Sequence, residues 1–75
     1  MSEETKFFVY LLEHYAASKG RLAPDVLRRW DELGITDLVY DMYEIYHVER
    51  LENAYDDIDA LIEEAGAARI VGTGI

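Results

Sequence analysis

From Phe8 to Ile62 the apolar side chains recur three and four residues apart, and no stretch alternates with period two for long enough to make a strand. Such a chain can hide its apolar surface only by packing helix on helix, so an all-α fold is expected. Ser2 is placed to cap a first helix with Glu3 and Glu4 in its opening turn, and Phe8, Leu11, Leu12 and Tyr15 carry its buried face toward a stop at Gly20. Pro24 suits the first turn of a second helix that turns Val26, Leu27 and Trp30 inward, with Gly34 as its stop. Thr36 reads as the cap of a third helix, along which Leu38, Val39, Met42, Ile45 and Tyr46 follow the helical repeat. Asn53 reads as the cap of a fourth, striped by Ile58, Leu61 and Ile62 and ended by Gly66.

These signals place helices near residues 3–19, 24–33, 37–48 and 54–65, in a compact bundle or orthogonal array of four short helices. Residues 1–66 form a single domain in this reading, and the Gly-containing segment 67–75 is expected to be a flexible tail. The expected core is Phe8, Leu11, Leu12, Val26, Leu27, Trp30, Leu38, Met42, Ile45, Ile58 and Leu61. At 75 residues without cysteine, neither disulfides nor thiolate-bound zinc can staple so small a core, and burial or self-association must hold it. The charged residues near the N-terminus do not read as a secretory signal, and no apolar run approaches a membrane span, so a cytoplasmic protein is expected.

The formal charge of −9 is unevenly spread, since residues 37–64 hold ten of the sixteen acidic side chains against one basic residue, Arg50. Counterion-release binding to nucleic acid needs clustered cations, and the only basic grouping is Lys19, Arg21, Arg28 and Arg29, so nucleic acid is not an expected partner. The acidic half also carries Tyr40, Tyr43 and Tyr46, three residues apart and followed by His47. Tyrosine offers a large ring with a wet hydroxyl, and carboxylates steer basic partners, so this surface reads as a site for another protein. The expected contacts are Tyr40, Asp41, Tyr43, Glu44, His47 and Asp57. The alternative is a self-associating structural helical protein, a homodimer whose seam is the same aromatic row.

Catalytic and metal chemistry find little support in the residues. Serine occurs at positions 2 and 18 alone, no glycine-rich phosphate loop is present, and Glu13-His14 are adjacent, which sets them about 100° apart on a helix. Asp56, Asp57 and Asp59 lack the glycine and the closing glutamate of a calcium loop. No enzyme, cofactor or metal site is therefore expected.

Three segments together carry a resemblance: Phe8-Val9-Tyr10-Leu11-Leu12-Glu13 with Tyr15-Ala16, then Tyr43-Glu44-Ile45-Tyr46-His47, then Asp57-Ile58-Asp59 with Leu61-Ile62. The chain resembles a family of short, uncharacterised bacterial helical proteins patterned FVY-x-x-E-x-YA, Y-x-x-x-H and a closing acidic DID. The resemblance implies Glu13, Tyr15, Tyr43, His47, Asp57 and Asp59 as the patterned polar positions. It also implies a genetic neighbourhood with proteins resembling ADP-ribosyltransferase toxins, hence an antitoxin or accessory role with such a toxin as partner. The chain departs from that pattern in having Tyr46 before His47 and no glycine turn after it.

Overall fold

The computed structural model describes residues 1–73, with side-chain surroundings through Ala67. Its described elements are all helices: α1 (Glu3–Ser18), α2 (Ala23–Leu33), α3 (Thr36–Tyr40), α4 (Tyr43–Tyr46) and α5 (Leu51–Thr73). The fold is all-α, a compact array of four helical arms whose third arm is broken into α3 and α4. No helix among the described residues is long and apolar enough to cross a membrane.

The ends of the first two helices follow their sequence signals. The Ser2 hydroxyl accepts the Thr5 backbone N–H at 3.1 Å, which satisfies one of the orphan donors at the start of α1. Pro24 lies in the first turn of α2, where its missing N–H costs nothing. Gly34 closes that helix at a left-handed φ of 74°, a conformation glycine adopts without a Cβ penalty. Gly20, at φ 67°, turns the chain after α1 in the same way.

The later boundaries differ from expectation. Thr36 does not cap α3: Ile35 occupies the cap position, and the Thr36 hydroxyl donates instead to the carboxylate of Asp31. Asn53 lies inside α5, which starts at Leu51 and runs through Gly66 to Thr73. The helix begins early because its buried stripe does. Leu51, Ala54, Tyr55, Ile58, Leu61, Ile62 and Ala65 keep helical spacing and all face the core, and the pattern is visible only once the alanines are counted. The segment 67–73, expected as a tail, continues the helical backbone, and residues 74–75 lie outside the described residues.

The core consists of Leu11, Leu12, Tyr15 and Ala16 from α1, Val26 and Trp30 from α2, Ile35, Val39 and Met42 from the third arm, and Ala54 and Ile58 from α5. Phe8, Leu27 and Leu61 pack on its edge. Two expected core residues are not in it: Leu38 is 52% exposed and Ile45 62% exposed. Two apolar rows run along the third arm. The row Ile35, Val39, Met42, Tyr46 turns inward, and the row Leu38, Ile45, Val48 turns outward. The backbone stays in the right-handed helical region through Asp41 and Met42 but tightens. Met42 N–H donates to Val39 O and Ile45 N–H to Met42 O, each at 3.1 Å. A three-residue turn aligns side chains at i and i+3, and here it aligns Tyr40 with Tyr43 so that both meet α1.

Truncating the inward residues should therefore cost far more than truncating the outward ones. Leu11→Ala and Ile58→Ala are expected to lose about 2–5 kcal/mol in urea unfolding. Ile45→Ala should stay within about 0.5 kcal/mol of wild type. A loss at Ile45 as large as at Leu11 would show that the third arm packs on its other row.

Candidate functional site

The third arm holds most of the residues expected to contact a partner, and the structure divides them between two faces. Tyr40 and Tyr43 turn toward α1: the Tyr40 ring lies 5.5 Å from Phe8, and Tyr43 meets Phe7 edge-on at 5.8 Å. The Tyr40 hydroxyl shares a 2.8 Å hydrogen bond with Thr5. His47 stacks on Tyr43 at 4.4 Å and 17°, and its Nδ1 lies 2.5 Å from the Tyr43 carbonyl, a bond the imidazole N–H donates. With Glu3, Lys6, Phe7 and Tyr10 these two residues line an open depression of about 420 Å³. Both tyrosines are thus half-buried, and their rings spend much of their area holding α1. Asp41 and Glu44 point to solvent beside them.

Asp57, the remaining expected contact, belongs to a clamp. Asp57-Ile58-Asp59 uses its three side chains in three directions: Asp57 accepts the Tyr46 hydroxyl from α4, Ile58 is fully buried, and Asp59 accepts the Tyr15 hydroxyl of α1 at 2.6 Å. Lys19 completes the group, 2.8 Å from Asp59 and 5.4 Å over the Tyr15 ring. Among the residues patterned in the resembled family, Tyr15, Tyr43, His47, Asp57 and Asp59 thus join helices or turns to one another, while Glu13 is exposed.

The clamp shifts its own titrations. Burial first, then the hydrogen bond to Asp59 and that carboxylate's charge, push the Tyr15 hydroxyl well above the ordinary tyrosine range, while Arg21 opposes them. Burial pushes Asp59 upward, but the bonds from Lys19 and Tyr15 and the Lys19 charge outweigh it and leave the carboxyl below its ordinary value. Tyr46 is raised chiefly by its bond to Asp57, and Tyr55 chiefly by burial.

The outer face of the third arm carries what the contact residues inferred from sequence left out. Leu38, Ile45 and Val48, the last 78% exposed, stand in water beside exposed Asp37, Asp41, Glu44 and Glu49. At about 100° per residue, Leu38, Asp41, Ile45 and Val48 fall within one sector of the arm. The sequence held part of the signal: the arm carries two apolar rows where one buried stripe is enough, which marks one row as surplus without saying which. A second region differs in charge. There a cleft of about 570 Å³ opens between α1, α2 and α5, lined by Lys19, Arg21, Arg28 and Arg29 together with Trp30 and three carboxylates, Asp25, Glu32 and Asp59.

No group of three or more histidine, aspartate or glutamate side chains among the described residues is arranged to hold a metal ion. His14 packs on Tyr10 at 4.1 Å, and Tyr10 lines the same depression as the His47–Tyr43 stack. A family model described as a protein of unknown function, DUF3791, matches residues 6–65. The chain belongs to the DUF3791 family. No curated protein and no solved structure matches this DUF3791 chain. The match spans α1 through most of α5, and so includes the clamp, the outer face and the cleft.

The clamp of this DUF3791 protein predicts stability that falls at both ends of the pH scale. The folded state keeps Tyr15 protonated where the unfolded chain ionises it, so its contribution is complete below about pH 10 and is lost as pH rises toward the elevated value. Asp59 contributes above about pH 4 and loses that contribution as pH falls through its lowered value. Tyr15→Phe should cost about 1 kcal/mol at neutral pH, since Asp59 keeps Lys19 and some water, and should flatten the alkaline limb of urea unfolding measured against pH. An unchanged alkaline limb would assign it to Tyr46 and Tyr55 instead.

Proposed function

We propose that this DUF3791 protein is a non-catalytic interaction module that binds a basic protein partner through the outer face of α3 and α4. The observation that carries this reading is the exposed row Leu38, Ile45 and Val48 set among Asp37, Asp41, Glu44 and Glu49. Apolar side chains left in water give a partner desolvated contact area, and the ring of carboxylates orients it and rejects acidic competitors. Asp41 and Glu44 are exposed on the arm, and the parts of Tyr40, Tyr43 and His47 that α1 leaves uncovered would extend the contact. Asp57 is better read as a clamp residue, because Tyr46 already bonds it.

The resemblance to bacterial proteins encoded beside ADP-ribosyltransferase-like toxins supports a cytoplasmic antitoxin or accessory role, with the toxin as the basic partner. A toxin that handles a phosphate-rich substrate needs a cationic site, which an acidic face would cover. The homodimer reading fits less well. In a two-fold seam each copy presents the same patch, so these carboxylates would meet their own kind as the apolar row is buried.

Mass measurement at micromolar concentration, alone and with the product of the neighbouring toxin-like gene, tests this reading. A one-to-one complex is expected that weakens with added salt, chiefly through a slower on-rate. Ile45→Lys and the pair Asp41→Lys with Glu44→Lys should abolish it while leaving the melting temperature close to wild type, because these side chains are exposed. A stable dimer of the protein alone, lost in Ile45→Lys, would replace the partner reading with self-association.

A further inference from the structure

The basic grouping Lys19, Arg21, Arg28 and Arg29 plays no part in the acidic face, yet the fold gathers all four into one cleft. Lys19 comes from the end of α1, Arg21 from the turn after it, and Arg28 and Arg29 from successive positions on α2. In a chain of charge −9, this cleft gathers four cations against three carboxylates. Two of the cations are already matched, Lys19 with Asp59 at 2.8 Å and Arg28 with Asp25 at 3.4 Å. Among the described residues Arg21 and Arg29 form no ion pair, and both are exposed.

A second, independent observation points to the same place. Trp30 lines the cleft, is fully buried, and its indole Nε1–H has no acceptor among the described residues. An indole N–H can only donate, and a buried donor without an acceptor is one of the costlier defects a small domain can carry. A group rich in acceptor oxygens would use this donor and the arginines together. Val26 and Ile62 add apolar wall, so the cleft, at about 570 Å³, has the volume for a small organic molecule and lining of both kinds.

We propose that the α1–α2–α5 cleft binds a small phosphate ester, with Arg21, Arg28 and Arg29 on the phosphate, the Trp30 indole N–H donating to an oxygen, and the organic body against Val26 and Ile62. Guanidinium forks match phosphate oxygens two at a time, which favours phosphate over a bare halide or a diffuse ionic atmosphere. Lys19 is held back by Asp59 and the Tyr15 ring, and it sets the wall on the α5 side. Because Trp30 is shut off from solvent, the side chains over it must part as the ligand seats, so binding should move the indole signal itself.

Trp30 is the only tryptophan, and its indole N–H therefore gives a single, assignable resonance in a nitrogen–proton correlation spectrum of the intact chain. The probe is phenyl phosphate, titrated at constant ionic strength, with benzoate and sodium chloride as parallel arms. A saturable shift of the indole N–H with phenyl phosphate, and a weaker or absent one with benzoate, is the expected result. Arg29→Gln and Arg21→Gln, both at exposed positions and checked by a wild-type-like amide spectrum, should each weaken binding about tenfold or more. An indole resonance that phenyl phosphate leaves unmoved, or that sodium chloride moves equally, overturns the site. Equal binding of benzoate overturns the phosphate assignment, and wild-type affinity in both arginine variants overturns the residues named.

Discussion

Trp30 is the largest side chain taken wholly out of water, and the rest of the fold is arranged around keeping it there. Phe8 meets its ring at 6.0 Å and Tyr15 at 5.7 Å, both from α1, so the contact between α1 and α2 is in large part an aromatic one. Tyr15 passes the constraint on. Its ring also meets Tyr55 of α5 at 5.7 Å, and its hydroxyl donates to Asp59, so one residue ties α2 to α5 through α1. In a domain of 75 residues with no covalent cross-link, such shared contacts make the helices cooperative, since none of them buries enough area to stand alone.

The same economy explains the short motifs. Asp57-Ile58-Asp59 looks like a charged patch on paper, but in the fold two carboxylates accept tyrosine hydroxyls from different helices while the isoleucine between them fills the core. Tyr43 and His47 likewise form a stacked pair one helical turn apart that rests on Phe7. Aromatic hydroxyls and rings at these helix edges thus hold one element to another.

Charge is divided to match. Acidic side chains crowd α5 and the third arm, where an apolar row stands in water, whereas four of the seven basic residues line the cleft between α1, α2 and α5. Charges separated by more than about 8–10 Å are screened from one another at physiological salt, so each grouping acts mainly on what lies close to it.

The sequence by itself determined the helical class, the ends of α1 and α2, and six members of the core: Leu11, Leu12, Val26, Trp30, Met42 and Ile58. These follow from local rules, because a left-handed glycine, a serine cap and a clean apolar stripe each act within a turn or two. Only the tertiary structure decided which of two apolar rows the third arm would bury. Leu38 and Ile45 fit helical periodicity as well as Ile35 and Val39 do, and the choice fell to the aromatic contacts of Tyr40 and Tyr43 with α1. The tertiary structure likewise made core residues of Ala16 and Ala54, whose single methyl groups signal nothing until another helix lies against them. It also gathered Lys19, Arg21, Arg28 and Arg29 into one recess, since helix periodicity fixes a side chain's direction about its own axis and is silent on which neighbour that direction will meet.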